Sequence, residues 1–155
     1  MNSSSKSILV GHSRGGVLGV EYAKENIGKL SGLVLICTGL DSNQWTVYND
    51  ELEDQGLGDI VRDKLFFVPD ELKAGRELFE HDSWSESSED TFECIFESYL
   101  KTYDLLKELS NLLVPVLNIY GENDLRFSKN VTTTFKKYNE SIEDLEIKNS
   151  GHFPS

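Results

Sequence analysis

The apolar residues of this chain fall into short solid runs separated by longer stretches of helical spacing. Ser7-Ile8-Leu9-Val10 is largely apolar and stops at Gly11, which predicts a buried strand. Past Gly15 and Gly16 the spacing changes. Val17, Leu18, Val20, Tyr22 and Ala23 are interleaved with Glu21, Lys24 and Glu25, a pattern that predicts a helix ending near Asn26 to Gly28. Leu33 to Cys37 predicts a second strand, Val116 to Tyr120, just after Pro115, a third, and Leu145 to Lys148 a weaker fourth.

Strands apolar on both faces and separated by helical segments predict an α/β fold, with a mostly parallel sheet under covering helices. The interval between the second and third strands is too long for a plain crossover, and its apolar residues keep helical spacing. Leu57, Ile60, Val61 and Leu65 form one such face, and Leu72, Leu78 and Phe79 a weaker one. Phe92, Ile95, Phe96, Tyr99, Leu100 and Tyr103 form the clearest. The whole chain, 1–155, therefore reads as a single domain, with a helical cap inserted at about residues 41–109 over the C-terminal edge of the sheet.

Charge narrows the partners. A formal net charge of −12 argues against nucleic acid or an anionic membrane surface, both of which need a positive face. The expected partner is a small-molecule substrate. No apolar run approaches the roughly 18–20 residues of a membrane-spanning helix. The polar start of the chain also lacks the form of a secretory signal, so a cytoplasmic protein is expected. Cys37 and Cys94 lie in apolar segments and read as small buried hydrophobes in a reducing compartment. No Cys/His spacing suggests zinc and no acidic run has the spacing of a calcium loop, so neither a metal nor an organic cofactor is expected.

The chemistry is concentrated at the strand ends. Gly11-His12-Ser13-Arg14-Gly15 matches G-x-S-x-G, directly after a strand and directly before a helix, the context of a nucleophile elbow. A strand turning abruptly into a helix strains the backbone of the turning residue, and glycines two positions on either side leave room for it. The Ser13 hydroxyl then projects above the sheet at the positive end of the helix, where the Arg14 N–H is placed to hold an oxyanion.

A serine needs a base, and the base needs an orienting group. Of three histidines, His12 lies inside the elbow and points away from its own neighbour, and His81 falls in a polar part of the cap. His152 sits in Ser150-Gly151-His152-Phe153-Pro154, a turn directly after the fourth strand. Asp124, in Tyr120-Gly121-Glu122-Asn123-Asp124 after the third strand, is the preferred acid. Glu122 and Asp41 are its competitors. Trp45, Tyr48, Phe66, Phe67 and Trp84 are available to line a pocket or to pack the cap internally. No substrate-binding residue is identified.

Serine, then acid, then histidine is the chain order of α/β-hydrolases. The segments Ser-Ile-Leu-Val-Gly-His-Ser-Arg-Gly-Gly, Val-Pro-Val-Leu-Asn-Ile-Tyr-Gly-Glu-Asn-Asp and Ser-Gly-His-Phe-Pro resemble that superfamily. They are most similar to its branch of small esterases, proline-iminopeptidase-like enzymes, C–C bond hydrolases and cofactor-free haloperoxidases. The resemblance implies a serine hydrolase acting on an ester, amide or related carbonyl compound, with Ser13, Asp124 and His152 as a triad. A serine at this position speaks against the aspartate-nucleophile members. Superfamily members place several strands, and a loop supplying a second oxyanion donor, before the nucleophile strand. This chain reaches that strand almost at once and stops just past its histidine. It therefore reads as an N-terminally truncated, partial fold, with an unpaired strand edge open to dimerisation or aggregation. The alternative reading is a silent fragment or a small-molecule-binding relative without turnover.

Overall fold

The computed structural model describes residues 6–56, 86–124 and 129–153. The chain runs through β1 (Ser7–His12), α1 (Arg14–Glu25), β2 (Leu30–Ile36), α2 (Ser42–Asp54) and α3 (Glu86–Ile95). A π-helical turn (Phe96–Leu100) and a 3-10 turn (Leu106–Asn111) lead into β3 (Val116–Gly121), α4 (Lys129–Tyr138) and β4 (Glu143–Ile147). The four strands form one sheet in the order β1-β2-β3-β4, and all three pairings are parallel. Leu35 lies between Gly11 and Asn118, and Ile119 pairs with Leu145.

Several strand boundaries differ from the sequence reading, β4 among them (Glu143–Ile147 rather than Leu145 to Lys148), and the ladder explains those of β1 and β2. β1 runs on to His12, so the helix begins one residue after Ser13. β2 begins at Leu30 rather than Leu33, because Ser7 pairs with Leu30 and its N–H donates to the Lys29 carbonyl. β4 carries Glu143, Asp144 and Glu146. An edge strand tolerates them because one of its sides meets water. At the other edge, β1 pairs only with β2 among the described residues, and Ile8 and Val10 are exposed.

The core collects Val17 and Val20 from α1, Leu33 and Leu35 from β2, Leu40, Leu105, Leu109 and Phe135. Phe135, Leu35, Leu40 and Leu109 are fully buried. The chain leaves the sheet after Leu40 and returns at Leu105, and the two crossings are tied together. Leu105 N–H donates to the Leu40 carbonyl (2.7 Å), Ser42 N–H to the Tyr103 carbonyl (2.9 Å), and the Tyr103 hydroxyl to the Gly39 carbonyl (3.0 Å). Burial raises the Tyr103 phenol to about 12, so the hydroxyl stays a donor. The Tyr99 hydroxyl bonds Glu21 of α1 at 2.7 Å. The described parts of the long insertion are helical, in α2 and α3. The periodic faces of Leu57 to Leu65 and Leu72 to Phe79, together with Phe66, Phe67, His81 and Trp84, lie outside the described residues.

One expectation fails. Cys37 is buried as foreseen, but Cys94 is exposed. It falls near the end of α3 beside the exposed Glu93 and Ile95, on a side of the helix that the core does not cover. Among the described residues no helix is long and apolar enough to cross a membrane.

The 3-10 turn offers an internal control on this packing. Leu109 is fully buried while Leu113 is 80% exposed. Leu109→Ala is expected to lower the unfolding free energy by about 2–5 kcal/mol, and Leu113→Ala by roughly 0.5 kcal/mol or less, in urea titrations.

Candidate active site

Ser13 is the single residue between β1 and α1, and the reversal is compressed into its backbone, with φ 52° and ψ −119°. A non-glycine residue in that region carries about 1–3 kcal/mol of strain. Close packing around it leaves no alternative path. A Cβ on Gly11 would overlap the Gly15 carbonyl and lie 2.6 Å from Gly16 Cα, and one on Gly16 would overlap the Thr38 side chain. The turn is fixed by Ser13 N–H donating to the Ile36 carbonyl (2.8 Å) and Gly16 N–H to the Ser13 carbonyl (3.0 Å). Ser13 is partly exposed and Arg14 is exposed at the start of α1.

The candidate acid and base, Asp124 and His152, arrive from the ends of β3 and β4. His152 Nδ1–H donates to Asp124 Oδ2 at 2.9 Å, with the Asp124 side chain fully buried and that of His152 5% exposed. Backbone bonds join their two loops. Glu122 N–H donates to the Ile147 carbonyl (2.9 Å), Asn123 N–H to Ser150 (2.8 Å) and Asp124 N–H to Gly121 (3.1 Å). The approach is tight enough that a Cβ on Gly121 would overlap the Ser150 and Gly151 carbonyl oxygens.

His12 does more than occupy the elbow. Its Nε2–H donates to the His152 carbonyl at 2.8 Å, and its ring lies 5.0 Å from that of His152 and 4.8 Å from that of Phe153. The strand that leads into Ser13 is thus joined to the His152 loop one residue away from Ser13. Burial holds the His12 imidazole below its ordinary range, against the opposing effects of the His152 carbonyl and the Asp124 charge.

The competing acids have other partners. Glu122 accepts the Asn149 N–H (3.0 Å) and pairs with Lys148 (3.1 Å), and both hold its carboxyl below the usual range. Asp41 caps the Asn43 N–H at 2.9 Å. Only Asp124, among the described carboxylates, bonds the His152 ring. Sequence reasoning treated Cys37 as filling and gave Thr38 and His12 no part. Cys37 Sγ and the facing atoms of Asp124 and His152 all lie within 4.8 Å of one another, a set of donor types that could hold a soft metal ion. An ion there would have to displace the Asp124–His152 hydrogen bond.

The strained backbone has one location. Among the described residues the non-glycine positive φ angles are those of Ser13, Cys37 (46°) and Asn149 (51°). They stand just past the C-terminal ends of β1, β2 and β4, and the acid turn stands past the end of β3. Such concentration of strain around one edge is characteristic of functional sites in parallel sheets.

Residues 2–155 match the family model described as the alpha/beta hydrolase fold. The chain belongs to the alpha/beta hydrolase family. Solved α/β-hydrolase structures align over nearly its whole length. MGS-M2, an alpha/beta hydrolase from a Medee basin deep-sea metagenome library, gives a TM-score of 0.69 at 16% identity over 97% of this chain and 59% of that one. Est816, described as an N-acyl homoserine lactone degrading enzyme, gives 0.73 at 14% identity over 96% and 61%. A proline iminopeptidase of Mycobacterium smegmatis gives 0.61 at 18% identity over 95% and 58%. At such identities the likeness is one of fold, and the chain spans about 60% of the length of these α/β-hydrolases. No curated protein matches the sequence.

Two measurements probe the packing that holds this site. Gly16→Ala is expected to destabilise the fold by about 1–3 kcal/mol, because Thr38 occupies the space of the new methyl. Gly15→Ala meets nothing within 4 Å and is expected to be neutral or to stabilise α1 by roughly 0.5–1 kcal/mol. For His12 the folded state binds its proton less readily than the unfolded state, whose reference value is 6.5. Its contribution to stability is therefore complete above that value and is lost as pH falls below it. The parent's urea midpoint should drop more steeply than that of His12→Gln as pH is lowered from about 7 to about 5.5.

Proposed function

We propose that the chain carries the nucleophile, base and acid of a serine hydrolase acting on an ester, amide or related carbonyl substrate through an acyl-enzyme. The observation that carries this reading is the fully buried hydrogen bond between Asp124 and His152. A carboxylate beside Nδ1 fixes the tautomer and stabilises the imidazolium formed during the reaction. With Nδ1 committed to Asp124, Nε2 is the nitrogen assigned to proton transfer.

In this reading the Ser13 oxygen attacks the substrate carbonyl carbon while His152 Nε2 takes the hydroxyl proton. The negative charge that develops on the carbonyl oxygen faces the start of α1, where the Arg14 N–H and the helix dipole stabilise it. His152 then returns the proton to the leaving group, and water completes the cycle by the same steps in reverse. The structural neighbours include enzymes described as degrading N-acyl homoserine lactone, as an enol-lactonase and as a proline iminopeptidase. Lactones and peptides both present a carbonyl to such a nucleophile, which supports the class of substrate rather than any one member.

Hydrolysis of p-nitrophenyl esters by the full chain tests the assignment. Asp124→Asn is expected to reduce kcat by about 10⁴-fold, and Ser13→Ala to bring the rate to background. A folded Ser13→Ala protein that retains the parent rate would remove the nucleophile assignment.

A further inference from the structure

The sheet order sets a distance problem for the site. Ser13 follows β1 and His152 follows β4, and these strands stand at opposite ends of the order β1-β2-β3-β4. Three strand spacings separate them, about 14 Å. A base on the β4 side meets the serine only if its loop leans across the ends of β3 and β2. The loop does so one carbonyl at a time. The Ser150 carbonyl accepts the Asn123 N–H, past β3, at 2.8 Å. The Gly151 carbonyl accepts the Cys37 thiol, past β2, at 3.8 Å. The His152 carbonyl accepts His12 Nε2–H, from the end of β1, at 2.8 Å. Three successive residues are thus held from the ends of three successive strands.

The donors lengthen along this row, and the spacing accounts for it. Two residue steps advance a fully extended chain by about 7 Å, whereas two strand spacings cover about 10 Å. A backbone amide suffices at β3, a short thiol side chain at β2, and at β1 the far nitrogen of an imidazole is used. A carbonyl only accepts, so that nitrogen carries a proton. The His12 ring is also packed, 5.0 Å from the His152 ring and 4.8 Å from the Phe153 ring. The strand beneath it is fixed, because His12 pairs with Ile36 and the Ser13 N–H donates to the Ile36 carbonyl.

We infer that His12 is a positioning residue for the base: its Nε2–H holds the His152 backbone at the end of β1 and so sets the reach from the His152 imidazole to Ser13. This rests on the reading of Ser13 and His152 as nucleophile and base. A side chain anchored one residue before the nucleophile ties the place of the base to that of the serine, so a shift of one carries the other. Misplacing reacting groups by about 1 Å costs on the order of 10²-fold in rate. An apolar residue at position 12 would keep the strand and release the loop from it.

The test compares His12→Gln, whose amide nitrogen stands near the place of Nε2, with His12→Phe, which keeps a ring without a donor, and His12→Leu. Two readouts are taken on the full chain: NMR order parameters of the Gly151, His152 and Phe153 amides, and kcat and KM on a p-nitrophenyl ester. In His12→Phe or His12→Leu, whichever folds, the order parameters should fall and kcat should drop about tenfold at unchanged KM. His12→Gln should recover most of both. Parent order parameters or parent kcat in a folded His12→Phe or His12→Leu protein overturn the inference. So does His12→Gln behaving like His12→Leu. If neither apolar variant folds while His12→Gln does, the residue serves the fold alone and the inference falls. The order parameters are read without turnover. A parent that hydrolyses no ester would therefore refute the proposed function, while they would still decide whether His12 holds the histidine loop.

Discussion

A carboxylate stripped of water survives in a protein only where hydrogen bonds replace the solvation it has lost. Asp124 is in that position, with no exposed surface and the His152 ring 2.9 Å away. Much of the surrounding architecture follows from the need to keep that pair together. Gly121 lets the acid turn lie directly on the Ser150 and Gly151 carbonyls. The amides of Glu122 and Asn123 bind the histidine loop, and His12 anchors the same loop from β1. Substitution at any of these positions acts first on the pair.

The strain at Ser13, Cys37 and Asn149 has to be held by something else, and the core supplies it. Three unfavourable backbone conformations together cost several kcal/mol, a large fraction of the stability of a domain this size. They persist because α1 and the 3-10 turn, both carrying buried core residues, flank a sheet whose strand β2 carries the fully buried Leu33 and Leu35. Ser13 N–H and Cys37 N–H each donate to a neighbouring strand's carbonyl, so each strained turn is locked by the ladder itself.

Much of this was legible in the residues. The four apolar runs became four parallel strands, and the elbow lay where G-x-S-x-G and its flanking periodicity put it. Asp124 and His152 were brought together from turns that their glycines announced. What escaped had a common cause. Periodicity reports which residues are apolar but not which atoms they meet, so Cys37 read as the tail of a hydrophobic run and Thr38, just past it, had no part. His12 was judged from its own residue's direction, whereas its partner is a backbone carbonyl distant in sequence. Cys94 looked buried because its neighbours are apolar, yet its position on α3 faces outward.

The claim on which the account rests is that Ser13 is an activated nucleophile in this chain. Intact-mass analysis after treatment with a fluorophosphonate reads that directly, because the reagent bonds to a serine oxygen only when a base has taken its proton. The account predicts a single adduct on the parent protein and none on Ser13→Ala. A parent protein shown to be folded that takes up no reagent would contradict it.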